Sequence, residues 1–173
     1  MTLHEKAQKI KAIALDIDGV QTDGRIGFGA GSDEIKFFYA RDGHGITMAK
    51  RAGLVMAVLS GRKAMCNRTR MEAMGFAVIL EGCLDKKEGF EELVRKLGME
   101  KEEILYIGDD VVDAWPIREA GLGFIVGDAV PELDAIADLR LTKPGGRGAV
   151  REAIEWLLKE QGKWDSLMEK YFG

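Results

Sequence analysis

Five short apolar runs, separated by stretches of helical period, set what this chain can fold into. The runs cover residues 12–15, 54–59, 76–80, 104–107 and 122–126 and are built mainly from Val, Ile, Leu, Ala and Phe. Residues 45–52, 62–74, 86–97, 110–120 and 149–158 read as helices, the last continuing towards Tyr171. Continuous apolar strands alternating with helices of this length predict right-handed βαβ units. Such units build a doubly wound parallel sheet of the α/β class, covered on both faces. One stretch breaks the rhythm. Residues 24–38 place two alternating arms around a Gly-rich turn, which predicts an inserted β-hairpin just after the first strand. With 173 residues the chain is expected to form one domain, residues 1–173.

Charge and cysteine content narrow the function classes. The 25 Lys and Arg are outnumbered by 29 Asp and Glu, giving a formal net charge of −4. A general polyanion binder needs a basic face, so no nucleic-acid partner is expected. A small anionic substrate met by a few placed cations remains open. Two cysteines and two distant histidines form no zinc pattern and no disulfide framework. The N-terminus has no apolar signal core, and no apolar run approaches the ~18 residues of a membrane span. The expectation is a cytoplasmic protein with no membrane partner.

The most informative pattern is how the apolar runs end. The first ends in Leu15-Asp16-Ile17-Asp18-Gly19, the second in Leu59-Ser60-Gly61-Arg62, and the fourth in Ile107-Gly108-Asp109-Asp110. In an open parallel sheet, ligands sit outside the carboxyl ends of the strands, so these ends converge. Three carboxylates gathered in one place repel one another unless a cation sits among them. Oxygen ligands alone suit a hard ion, and Mg²⁺ is the natural candidate for Asp16, Asp18 and Asp109. Asp16 then has an oxygen left for nucleophilic attack, and Asp18 is placed to give and take a proton. Ser60, with free N–H groups at a following helix start near Arg62, forms either an anion seat or an ordinary N-cap. Lys86 opens a helix, where a cation opposes the helix dipole, so neutralising a phosphate is the more economical role. Arg62 and Arg70 are eight positions apart, about two helical turns. On one helix face they could clasp a carboxylate, or they could be surface cations.

These residues resemble a known family. Asp16-Ile17-Asp18-Gly19-Val20, Ser60-Gly61-Arg62, Lys86 and Gly108-Asp109-Asp110 with Asp113 are, in order and spacing, similar to the four motifs of the haloacid dehalogenase superfamily of phosphatases. Residues 18–24, 41–46 and 60–64, with Arg70 and residues 145–152, resemble within it the 3-deoxy-D-manno-octulosonate 8-phosphate phosphatases. Close relatives of these act on 9-phosphates of nine-carbon sugar acids. The resemblance implies a Rossmann-like fold and Mg²⁺-dependent hydrolysis of an anionic sugar phosphate in lipopolysaccharide sugar biosynthesis. It implies Asp16 as nucleophile, forming an aspartyl-phosphate, and Asp18 as general acid and base. Ser60 and Lys86 are implied phosphate ligands. The metal is implied to be held by the Asp16 side chain, the Asp18 backbone carbonyl and Asp109, with Asp110 and Asp113 behind them. Implied substrate contacts are Tyr39, Ala40, Arg41, Asp42, Gly43, Thr47, Arg62 and Arg70, beside Asp18 and Lys86. The segment from Asp113 to Pro116 is one residue longer than the family's usual spacing.

Many members of the superfamily close over substrate with a cap domain, and this chain has no room for one. An open site must be completed from elsewhere. The hairpin and the Gly145–Arg147 tail are candidates to reach a neighbour's site, and the resemblance implies a homotetramer with shared active sites. A competing reading is a non-catalytic tetramerisation module, but that requires loss of the nucleophile or metal carboxylates, and all are present.

Overall fold

The computed structural model describes residues 1–31 and 33–173; Ser32, in the expected hairpin turn, lies outside the described residues. Six strands form one parallel sheet: β1 (Ala12–Leu15), β4 (Val55–Ser60), β5 (Val78–Glu81), β6 (Ile104–Gly108), β7 (Leu122–Ile125) and β8 (Leu139–Arg140). Their order across the sheet is β5-β4-β1-β6-β7-β8. Every residue of β1 and β6 is buried, as strands covered on both faces require. Helices are α1 (Leu3–Ala7), α2 (Ala40–Arg51), α3 (Met65–Met74), α4 (Lys86–Leu97), α5 (Ala114–Glu119), α6 (Ala149–Glu160) and α7 (Trp164–Phe172). Right-handed crossovers run outwards from β1 to β5, then return across the sheet to β6 and β7. That reversal puts α2 and α3 on one face and α4 and α5 on the other. It also makes β1, flanked by β4 and β6, the topological switch point.

The inserted segment is a hairpin of its own. β2 (Gly27–Phe28) pairs antiparallel with β3 (Glu34–Ile35), outside the main sheet. No helix among the described residues is long and apolar enough to cross a membrane.

Element boundaries depart from the sequence reading where glycine or a buried carboxylate intervenes. Helix α2 begins at Ala40, five residues before the expected start. Its glycines are close-contact positions rather than breakers: a Cβ at Gly45 would lie 3.0 Å from the Arg151 side chain and 3.3 Å from its backbone. Helix α3 begins at Met65 rather than 62, because Ala64 is extended (φ −149°, ψ 144°). The expected helix over 110–120 is a 3₁₀ turn (Val111–Asp113) followed by α5, with Pro116 in the first turn, where it is tolerated. The pattern running towards Tyr171 is cut by Gly162 at φ +65°, so α6 and α7 are separate. The edge strand β8 has only two residues, too few for an alternation to be read.

The Gly-rich tail before α6 docks on the loop after β1 of its own chain. Gly146 N donates to Val20 O at 2.9 Å, and Gly145 N donates to Asp128 Oδ1 at 2.9 Å. A Cβ at Gly146, which has φ +65°, would lie 2.3 Å from the Thr22 carbonyl carbon. Gly146→Ala is therefore expected to cost more than the roughly 1–2 kcal/mol of left-handed strain alone. Urea unfolding measures this, and an unchanged midpoint would show that the tail does not pack as described.

Candidate active site

The switch point brings the polar strand ends together. Asp16 follows β1, Ser60 ends β4, and Asp109 follows β6, on three adjacent strands. With Asp18, Arg62 and Lys86 they line an open cleft of about 340 Å³. Lys86 reaches it from the first residue of α4, whose N-terminus is capped by Asp85 accepting from Lys87 N and Glu88 N. Lys87 is exposed and lies over the Trp115 ring at 4.2 Å.

At the base of the cleft a buried charge network forms. Lys86 Nζ donates to Asp16 Oδ2 and to Asp113 Oδ1, each at 2.5 Å. Tyr106 Oη donates to Asp113 Oδ1 at 2.6 Å. Asp113 Oδ2 accepts from the backbone N–H groups of Asp109 (3.0 Å) and Asp110 (3.4 Å). Asp113 is wholly buried with both oxygens engaged, so it ties β6 to Lys86 and shapes the loop after Gly108. Burial works against the Lys86 ammonium, yet Asp113 and Asp16 overcome it and hold its pKa above the ordinary 10.5. Burial, then the Asp113 charge, pushes Asp16 upwards against the pull of Lys86.

The donor set fits a divalent cation. Asp16, Asp109 and Asp113 each present a carboxylate oxygen within 4.8 Å of the others. One lysine faces three carboxylates, and burial followed by the charges of Asp113 and Asp16 pushes Asp109 up to about 8. Gly19 leaves the space this cluster needs, since a Cβ there would lie 2.0 Å from Asp109 Oδ2. The carboxylate cluster differs from the expected trio: Asp113 joins Asp16 and Asp109 with both its oxygens already engaged, and the Asp18 carboxylate lies outside it. The Asp18 side chain turns away, to Lys36 Nζ at 2.9 Å and Arg62 Nε at 3.6 Å. A metal contact from Asp18 would use its backbone carbonyl.

Ser60 does not cap a helix. Its Oγ accepts from Arg62 N at 3.3 Å, and the N-cap position of α3 is Ala64, with no side-chain bond. Residues 61–64 therefore form a loop at the cleft rim. Arg62 lies on that loop, not on α3, so the expected pairing of Arg62 and Arg70 on one helix face fails. Arg70 sits in a different cavity, its guanidinium 5.5 Å over the Phe38 ring.

The remaining expected sugar contacts are dispersed within the chain. Tyr39 and Arg41 line a second cavity of about 660 Å³, together with Arg147 and Arg151. Ala40 is exposed, and Gly43 is covered by Arg70, whose Nη2 a Cβ would meet at 2.5 Å. Asp42 is buried and accepts from Arg151 N at 2.8 Å and Gly148 N at 3.3 Å, holding the first turn of α6. Burial raises its pKa against those two bonds. Thr47 Oγ1 donates to Gly43 O within its own helix. Two hairpin residues that touch the cleft's Asp18 and Arg62 were not anticipated, Lys36 and Glu34, which themselves line the cavity of Arg70. An alternating hairpin arm gives no sign that its lysine points inwards.

The match to known proteins covers this same frame. The family model of haloacid dehalogenase-like hydrolases matches residues 46–154. The chain belongs to the family of haloacid dehalogenase-like hydrolases. It is 41% identical over 161 residues to the 3-deoxy-D-manno-octulosonate 8-phosphate phosphatase KdsC of Escherichia coli, covering 92% of this chain and 85% of that one. Its structure superposes on a phosphatase of that name from Moraxella catarrhalis, in complex with magnesium, phosphate and 3-deoxy-D-manno-octulosonate. That match has TM-score 0.93 and 37% identity, over 97% of each chain. A YrbI-family phosphatase from Pseudomonas syringae matches with TM-score 0.95 and 34% identity, over 99% of this chain and 97% of the other.

The crowded carboxylates make stability depend on pH and metal. A carboxyl that binds its proton more tightly folded than unfolded loses stability as pH rises between the two values. For Asp109 that window runs from the ordinary 3.8 to about 8. Cation-free protein is expected to lose thermal stability across this window, with saturating Mg²⁺ restoring it towards pH 8. Asp109→Asn should flatten the cation-free profile and remove most of the metal response. Calorimetric scans at several pH values check both.

Proposed function

We propose that this chain is a Mg²⁺-dependent phosphatase that hydrolyses 3-deoxy-D-manno-octulosonate 8-phosphate to the free sugar acid and phosphate, a step in lipopolysaccharide sugar biosynthesis. The observation that carries the reading is the convergence of Asp16, Lys86 and Asp109 at one sheet switch point, in a chain closely related to phosphatases of that substrate. Asp16 Oδ atoms lie at the cleft floor, where a carboxylate oxygen can meet phosphorus in line with the sugar oxygen. The P–O bond to the sugar breaks, its electron pair stays on the sugar oxygen, and Asp18 supplies the proton. Water then attacks phosphorus of the aspartyl-phosphate, giving its proton to Asp18 and releasing the Asp16 carboxylate. Ser60 and Lys86 hold the phosphoryl oxygens, and Lys86 stays aligned through Asp113. A magnesium ion held by the Asp16 and Asp109 carboxylates and the Asp18 carbonyl would neutralise phosphate charge that Asp16 otherwise meets with repulsion.

Phosphate release assayed across eight- and nine-carbon sugar acid phosphates, with and without Mg²⁺, tests the reading. The eight-carbon 8-phosphate should be preferred and the metal required. Asp16→Asn should lower turnover by about 10³-fold or more while the protein still folds. Wild-type turnover in that variant, or a preference for nine-carbon substrates, would overturn the respective part.

The whole chain acts as a single domain, and its open cleft favours assembly as a cytoplasmic homotetramer with shared active sites. Tyr39, Arg41 and Arg70 lie away from the cleft of their own chain, which suits their serving a neighbour's. The hairpin exposes Phe28 (69%) and Phe37 (79%), apolar surface that a second copy would cover. Light scattering should give a tetramer mass, and a fully active monomer would remove this part.

A further inference from the structure

The hairpin inverts the usual pattern of a surface β-ribbon. Ile35 and Phe37 face out, while Lys36 between them points inwards with no exposed side-chain surface. Burying a paired lysine adds little stability compared with an apolar residue of similar size. The inward position is therefore spent on charge rather than packing, and what that charge touches is specific. Lys36 Nζ lies 2.9 Å from Asp18 Oδ2, to which it donates, 2.7 Å from Asp18 Oδ1, and 3.4 Å from Glu34 Oε2. Glu34 Oε1 in turn accepts from Arg62 Nη1 at 3.0 Å, and Arg62 Nε lies 3.6 Å from Asp18 Oδ2.

The four side chains close a ring of alternating charge. It joins three separate segments: the loop after β1, the hairpin, and the loop after β4. Among the described residues, the only cations on the Asp18 carboxylate are Lys36 and Arg62. Arg62 is the weaker of the two, at the longer distance and with 47% of its side chain exposed. The bond from Lys36 to Oδ2 fixes the carboxyl plane, and Oδ1 accepts no hydrogen bond of good geometry. Oδ1 is buried 2.7 Å from Lys36 Nζ, and the 22% of the Asp18 side chain that stays exposed lines the cleft.

We infer that Lys36 is a positioning residue for the reaction: it orients the Asp18 carboxyl towards the leaving-group oxygen, and Glu34 holds Lys36 in place. The inference rests on the reading of Asp18 as the proton carrier. It makes the hairpin part of the proton-transfer machinery as well as a surface for assembly. In the first half-reaction the sugar oxygen takes the Asp18 proton as its bond to phosphorus breaks. In the second, the proton of the attacking water returns to Asp18. A misaimed carboxyl slows the first half-reaction most when the leaving group is a poor one.

Leaving-group dependence tests this directly. An aliphatic sugar oxygen needs the proton, whereas 4-nitrophenolate departs without it. The two substrates are measured on the same sample of Lys36→Met, so the ratio of their turnover numbers is independent of how much protein is folded. Turnover of the 8-phosphate should fall at least ~10-fold further than turnover of 4-nitrophenyl phosphate, within the ~10²–10⁴-fold that general acid catalysis is worth. KM for the 8-phosphate should change less than kcat, and Lys36→Arg should move the ratio back towards wild type. Asp18→Asn serves as reference. If Asp18→Asn shows leaving-group dependence and Lys36→Met does not, the positioning role is overturned and the role of Asp18 stands. An equal loss on both substrates in Asp18→Asn would overturn the reading of Asp18, and the role of Lys36 with it. A change confined to KM in Lys36→Met would make Lys36 a substrate contact and also overturn the inference.

Discussion

A single buried ammonium organises this molecule. Lys86 sits between Asp16 and Asp113, and those three charges tie the end of β1 to the start of α4 and the loop after β6. A buried pair of this kind is costly to break, because the partner left behind is an uncompensated charge in a poorly solvated place. The arrangement is nevertheless unbalanced, since Asp109 adds a further carboxylate that forms no ion pair among the described residues, and burial with the charges of Asp113 and Asp16 raises its pKa. The imbalance is an excess of negative charge that a divalent ion would balance. The strand order dictates where it falls, because only at the switch point do β1, β4 and β6 end side by side.

Much of this frame was legible in the sequence, for a physical reason. Strands buried on both faces are short apolar runs, and the polar residues that end them must lie at one edge of a parallel sheet. Asp16, Ser60 and Asp109 needed only that rule. Lys86 was legible because a lysine opening a helix has no local justification. What was not legible depends on contacts between distant segments. Asp42 is a substrate contact only by resemblance, and nothing near it in sequence shows that its carboxylate accepts from the start of α6, more than a hundred residues away. Asp113 carries no sign in the sequence that Tyr106 and Lys86 will share its Oδ1. Arg62 was misplaced because the first turn of α3 could not be located to within three residues, and that shift moves a side chain from helix face to loop. Lys36 was invisible because a lysine on a two-stranded ribbon is normally solvated.

The phosphate end and the sugar end of the site are built on different physical terms. The groups proposed to hold the phosphate, Asp16, Ser60 and Lys86, are buried. Of those expected to read the sugar acid, Arg62 lines the cleft, while Tyr39, Arg41 and Arg70 line two other cavities. Chemistry that must hold an atom in line is thus placed on strand ends. Discrimination among sugars is left to surfaces that can change without disturbing the network around Lys86.

The docking of Gly145 and Gly146 on the loop after β1 has a temporal side. The loop after β1 precedes the backbone that buttresses it by more than a hundred residues. A nascent polypeptide that has completed all six strands still lacks the support that settles this loop. The loop that carries Asp16 and Asp18 therefore gains its support only after the chain has passed the sixth strand and reached the tail.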